Sequence, residues 1–241
     1  MTGEIEWAGV DLSFLEEIIY VDDVIVEEPP ETGRPARKID RYKVPGRNGD
    51  IILMQDAWEN VKRSYDIIVH GRSYSEATAA LADWLYGPRG YRRLWDSFDP
   101  EVYRLACVSE DTRIRNLVNT NGRCTIEFDC DPRRFLLIGE SSITLTETDT
   151  VTNPTAFIAL PMITVYGSGN GTISCGGKTI AITEITDGMV LDSERQDAYL
   201  GAVNLNSTVS GAFPVIPSGE QTIMITGGIT SVTMAPNWWT L

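Results

Sequence analysis

Charge is divided unevenly along this chain, and that division constrains the fold more than any single motif. Of the 20 Lys and Arg, only Lys178 and Arg195 lie beyond Leu136, leaving 18 before it, and the 34 Asp and Glu divide 25 to 9 at the same point. Thr changes in the opposite sense, from 6 before the break to 17 after it, alongside the Gly-containing pieces GSGNG, CGG, SGE and TGG. Two surfaces of such different chemistry require separately built cores, and 241 residues suffice for two of roughly 100–130 residues each. The break predicts a first domain over residues 1–136 and a second over 137–241, with the hand-over in Asp131-Pro132-Arg133-Arg134-Phe135-Leu136.

In the first domain one helix stands out, over residues 74–86. Ser73 is placed to cap it, Glu76 completes a capping box, and Ala77, Leu81, Trp84 and Leu85 fall on one face. Gly87 and Pro88 end it. Alternating stretches surround the helix: Val61 to His70, Arg92 to Phe98, Val102 to Val108 and Arg123 to Cys130. A helix laid on a sheet accounts for this pattern. Asn48-Gly49, in the loop Val44 to Asp50, tolerates positive φ and predicts a tight turn joining Asp40–Val44 to Ile51–Met54 as a protruding hairpin.

The second domain offers short strands at Met162 to Tyr166, Thr172 to Cys175, Thr179 to Ile182, Met189 to Asp192, Gln221 to Thr226 and Thr230 to Met234. Gly-rich turns separate them, with Gly167-Ser168-Gly169-Asn170-Gly171 read as a hairpin turn. Strands of this length and spacing predict an all-β sandwich. The fold class expected for the whole chain is therefore mainly β with one notable helix.

The net charge of −14 disfavours nucleic acid and anionic lipid as partners, since both repel an acidic surface. The first residues carry acids where a secretion signal carries Lys or Arg, and no run reaches the ~18 apolar residues that span a bilayer. The chain thus reads as made in a cytoplasm. Cys107, Cys124, Cys130 and Cys175 form no CxxC pair and have no His cluster beside them, so they read as buried thiols and not as a metal or disulfide framework. Cys124 and Cys130 share the parity of Ile126 and Phe128, which places them on the inner face of a strand.

Signals of catalysis are weak. The one histidine, His70, has no nucleophile setting, and GSGNG lacks both the GxGxxG fingerprint and a following helix. Asp187, Asp192, Glu194 and Asp197 are the one gathering of carboxylates in the second domain, and a solvated turn explains them as well as calcium or glycoside hydrolysis does. No catalytic, cofactor or metal residue is assigned. Trp238 and Trp239 are adjacent, so in a strand they face opposite ways, and an outward Trp is either packed by a partner or is a stacking platform for a sugar ring.

Taken in order, Val44 to Asp50, His70-Gly71-Arg72-Ser73-Tyr74-Ser75-Glu76, Gly90-Tyr91-Arg92-Arg93-Leu94, Asp131 to Phe135, Thr152-Asn153-Pro154-Thr155, Val165 to Gly169, Asp192-Ser193-Glu194 and Asn237 to Leu241 make the chain resemble the distal tail proteins of siphophages. The resemblance spans essentially the whole length. It implies a virion structural protein of the phage tail tip, a six-membered ring at the distal end of the tail tube, alone or as two stacked rings. The C-terminal sandwich is then of galectin-like or carbohydrate-module-like type. Implied neighbours are the tail tube protein, the tail-associated baseplate protein, and receptor-binding proteins or the tape measure. It carries over no active-site residue, and its alternative is a carbohydrate-binding module recognising host wall saccharide.

Within such a ring the charge pattern acquires a role. Residues 1–31 hold ten acids and no base, whereas Arg34, Arg37, Lys38, Arg41, Lys43 and Arg47 face only Asp40 in residues 34–47. A head-to-tail ring brings two different surfaces together, so an acidic patch on one subunit and a basic hairpin on the next complement each other. Those six bases are the expected inter-subunit residues, against the plainer reading of a solvated face.

Overall fold

The computed structural model describes residues 3–12, 21–26, 30, 33–71, 74–108, 114–118 and 121–241, with only the backbone described at 21–25, 69–71, 74–78, 114–118 and 121–122. The chain divides into two compact units, Met1–Arg134 with Leu241, and Phe135–Thr240.

In sequence order the first unit holds β1 (Ile5–Trp7), β2 (Val10–Asp11), β3 (Val21–Val26), β4 (Arg37–Tyr42), β5 (Ile51–Trp58), β6 (Val61–Gly71), helix α1 (Tyr74–Tyr86), β7 (Arg92–Asp96), β8 (Val102–Cys107), β9 (Ile114–Val118) and the start of β10 (Asn121–Leu136). The main sheet runs β2-β1-β7-β8-β10-β6-β3, with β9 also on β10, while β4 and β5 pair only with each other. Alternation decides which face is inside. Ile126, Phe128 and Cys130 on β10, Tyr65 and Ile67 on β6, and Ile5 and Trp7 on β1 are all buried. Phe128 sits between Trp7 and Tyr65, at ring-centroid distances of 5.0 and 6.0 Å. Leu81, Trp84 and Leu85 of α1 close the same core, and the Trp84 indole donates to the Val10 carbonyl at 3.1 Å. Ser73 and the side chains of Glu76 and Ala77 lie outside the described residues.

The second unit contains β11 (Ile143–Leu145), β12 (Asp149–Asn153), β13 (Met162–Cys175), β14 (Lys178–Ile182), β15 (Met189–Asp192), β16 (Asp197–Leu200), β17 (Val203–Asn204), β18 (Val209–Gly211), β19 (Gly219–Ala235) and β20 (Trp239–Thr240). Here the sequence reading needs correction. Met162–Tyr166 and Thr172–Cys175 are two ends of one strand, β13, and Gln221–Thr226 and Thr230–Met234 are two ends of β19. GSGNG is therefore not a hairpin turn. The β13–β19 ladder shifts register there, with Gly167 opposite Ile229 and Gly171 opposite Gly227. The glycines let the two backbones crowd together where both strands bend: a Cβ on Gly228 would collide with the Ser168 carbonyl oxygen, and Gly227 has φ +78°.

That bend turns a continuous ladder into two layers. The first half of β13 pairs with β15 and the second half with β14, while the two ends of β19 pair with β12 and β11. Each long strand thus belongs to both layers, which is how strands turn a sandwich corner at a bulge. Inward residues of the two layers, among them Ile163, Val165, Leu191 and Val232 from one and Val151, Ile173, Ile180 and Ile223 from the other, share one core.

Candidate assembly interface

The β4–β5 hairpin is an antiparallel ladder, and across it the Gln55 amide donates to Asp40 Oδ2 at 2.7 Å. Ile39 lies opposite Met54, Asp40 opposite Leu53, Arg41 opposite Ile52 and Tyr42 opposite Ile51. Residues opposite one another share a face, so one face presents Ile39, Ile52 and Met54 with Arg41, and the other presents Tyr42, Ile51 and Leu53 with Asp40. Every residue from Arg37 to Asp56 is exposed, and Met54 has 70% of its surface in solvent. An apolar strand pair with two open faces has the character of an interaction surface, which is why the hairpin is the candidate here.

The six predicted bases all lie on this element or its flanks, and all are exposed. Arg37 approaches Asp56 at 3.5 Å and lies 4.6 Å from the centre of the Trp58 ring. Arg34, Lys38, Arg41, Lys43 and Arg47 form no ion pair with a described residue. Most of the ten acids of residues 1–31 lie outside the described residues or have only their backbone described. Sequence reasoning named the bases and overlooked the apolar residues between them. The signal was present in Ile51-Ile52-Leu53-Met54, an unbroken apolar run where a one-sided strand would alternate.

The two tryptophans part company. Trp238 is buried in the core of the second unit and offers no surface for a sugar, which removes it from the expected stacking pair. Trp239 is half-buried; its ring stacks on Phe157 with centroids 4.3 Å apart, and its indole donates to the Ile158 carbonyl at 2.9 Å. One ring face is therefore already covered.

The carboxylates of the second unit brace turns. Asp192 Oδ1 accepts the backbone N–H groups of Glu194 and Arg195, each at 3.0 Å, Asp187 accepts that of Gly167, and Asp197 accepts the amides of Asn204 and Asn206. Among the described residues no group of acidic, His or Cys side chains has the arrangement of a metal site. The His70 side chain lies outside the described residues; its backbone pairs with Asn121.

A buried polar cluster, unforeseen from sequence, occupies one end of the first unit's core. Arg63 donates from Nε and Nη2 to Asp96 Oδ2 at 3.0 and 2.7 Å, and the Tyr65 hydroxyl donates to the same oxygen at 2.6 Å. Burial pushes the Tyr65 hydroxyl well above its ordinary pKa, so it remains a donor. Arg104 lies beside them at 6% exposure; burial, and then the charge of Arg63, lower its pKa. Arg104 has the parity of Val102 and Ala106, and that alone marked it as inward-facing.

No family model and no curated protein matches the sequence. Among solved structures, the chain is similar over 100% of its length to the Dit (gp 19.1) protein of phage SPP1, over 100% of that protein, with a TM-score of 0.72 and 13% identity. The fold is the Dit fold. SPP1 Dit is described as a paradigm of the hub adsorption apparatus in phages that infect Gram-positive bacteria. A Dit fold unites what the two units separately display, a helix-bearing β-unit followed by a sandwich, and it agrees with the siphophage distal tail resemblance carried by the sequence motifs.

Proposed function

We propose that this chain is a non-enzymatic structural component of a phage tail tip, a hub subunit that assembles into a hexameric ring, alone or as two stacked rings. In the virion the ring joins the distal end of the tail tube to the tail-associated baseplate protein and to receptor-binding proteins or the tape measure. The observation that carries the reading is the full-length likeness to SPP1 Dit. The β4–β5 hairpin supports it: both apolar faces are open, and burying them between subunits supplies the affinity that exposed ion pairs at ~0.2–1 kcal/mol each do not. Bases on the hairpin then fix register against an acidic neighbouring surface. Negative-stain class averages of the purified chain should show six-fold rings, and native mass spectrometry should give a mass of six subunits or a multiple of it. A population of monomers and dimers at micromolar concentration and moderate salt would refute the ring.

A second reading, wall-saccharide binding by the sandwich, rests on Trp239, whose side chain is only half-buried. Titration with wall polysaccharide should show binding that Trp239→Ala abolishes. Equal binding by the variant would dismiss Trp239 as the platform.

A further inference from the structure

The chain contains three Asn-Gly pairs, Asn48-Gly49, Asn121-Gly122 and Asn170-Gly171. In such a pair the side-chain amide carbon of Asn is followed by a backbone nitrogen that no Cβ shields, so the two react wherever the backbone is free to bring them together. The fold holds two of the three. Asn121 and Gly122 lie on β10 between β6 and β9, opposite His70 and Val69 on one side and Val118 and Asn116 on the other. Gly171 pairs with Ile182 of β14 and with Gly227 of β19, and a Cβ placed on it would stand 2.8 Å from the Thr226 carbonyl oxygen. Rotating either peptide means opening a ladder.

Asn48-Gly49 is placed differently. It lies between the end of β4 and the start of β5, outside both strands, and both residues are exposed. The turn before it is closed by the Arg47 N–H, which donates to the Val44 carbonyl at 3.2 Å, while neither Asn48 nor Gly49 makes a hydrogen bond to a described residue. Gly49 has φ +79°, and a Cβ built on it would meet nothing within 4 Å. No ladder and no neighbouring atom restrains this peptide from rotating.

We propose that Asn48 is a site of spontaneous deamidation, which places a new carboxylate on the basic hairpin. The Gly49 nitrogen attacks the Asn48 side-chain carbon Cγ. The new C–N bond closes a succinimide as the Cγ–Nδ2 bond breaks, and the Gly49 N–H proton departs with that nitrogen as ammonia. One water then opens either carbonyl of the ring, giving aspartate or isoaspartate, with no oxidant or reductant involved. The product stands in a loop that also carries Lys43 and Arg47, so it lowers the positive charge of the hairpin. Any weakening of a ring by that charge rests on the hexamer proposed above; the modification itself does not.

The test follows the full chain and its Ile52→Glu, Leu53→Glu variant, designed to keep the hairpin uncovered, through incubation in warm, mildly alkaline buffer. Peptide mapping with isoaspartyl methyltransferase labelling reads each asparagine separately. Isoaspartate should accumulate at Asn48 at least about tenfold faster than at Asn121 or Asn170, where reaction waits on local opening of a ladder. Asn48→Gln, whose longer side chain closes the corresponding ring far more slowly, should lose the signal. Modification of the Glu variant alone upholds the site and shows that assembly covers the loop. Equal rates at the three asparagines, a signal that survives Asn48→Gln, or no isoaspartate at Asn48 in either chain overturns the proposal.

Discussion

The β4–β5 and β7–β8 hairpins belong to the same unit and are both antiparallel ladders, yet their side chains meet opposite fates. In β7–β8 every second residue after the exposed Arg92 is buried, with Leu94, Asp96, Val102, Arg104 and Ala106 facing inward. In β4–β5 no residue from Arg37 to Asp56 is buried, although Ile39, Ile51, Ile52, Leu53 and Met54 are as apolar as anything on β7 or β8. Strand formation and burial are therefore separable. Turn chemistry and cross-strand pairing make a ladder, whereas a core requires a second layer to lie against it. The open hairpin contributes little to the stability of an isolated subunit, which leaves its apolar residues available for the association proposed above.

The sharpest way to break this comparison is to truncate one side chain from each class. Phe128→Ala empties a site between Trp7 and Tyr65 and should cost about 3–5 kcal/mol in urea unfolding. Met54→Ala should stay within about 0.5 kcal/mol when measured on dissociated subunits. Similar losses from both would show that the hairpin is docked after all.

The backbone gives a second contrast. Gly228→Ala drives a methyl into the Ser168 carbonyl at the β13–β19 bend and should cost about 2–4 kcal/mol by the same assay. Gly46→Ala, in the hairpin turn at φ +81° with open space around it, should cost only about 1 kcal/mol, from the left-handed conformation itself.

Charge placed on both faces of the hairpin, by Ile52→Glu with Leu53→Glu, should abolish ring assembly in native mass spectrometry and leave the circular dichroism melt of the subunit unchanged. A ring that persists would mean the interface lies elsewhere. The smallest effect is expected from Arg37→Glu, Lys38→Glu and Arg41→Glu together, which should weaken the ring at low salt by roughly 0.2–1 kcal/mol per lost pair without unfolding the subunit. Salt should weaken the unaltered ring in the same direction. If the triple variant assembles identically at low and high salt, those bases are a solvated face.

Much of this architecture was legible in sequence where periodicity was strong. Val61 to His70 alternates and is β6, and the apolar face of Tyr74–Tyr86 is α1. Ile5–Trp7 was illegible because three residues are too few to display a period, and Val21–Val26 because Asp22 and Asp23 interrupt it. The glycine runs misled for a physical reason. Glycine marks a turn when its partner strand ends, but Gly167–Gly171 and Gly227-Gly228 lie opposite each other, and a pair of matched weak points makes a bend. The polar cluster of Arg63, Tyr65, Asp96 and Arg104 was invisible because its members come from three different strands.

The two shared strands of the sandwich have a mechanical consequence. In a sandwich whose strands each belong to one layer, the layers are joined only by loops and by side-chain packing, and a lateral pull slides one over the other. In this unit β13 and β19 run through both layers, paired from Met162 with Ala235 at one end to Ser174 with Met224 at the other. Sliding would have to tear that ladder along its length, loading its hydrogen bonds together instead of one after another. The bend at Gly167–Gly171 thus acts as a rivet, joining the layers through backbone at the one place where side chains are smallest.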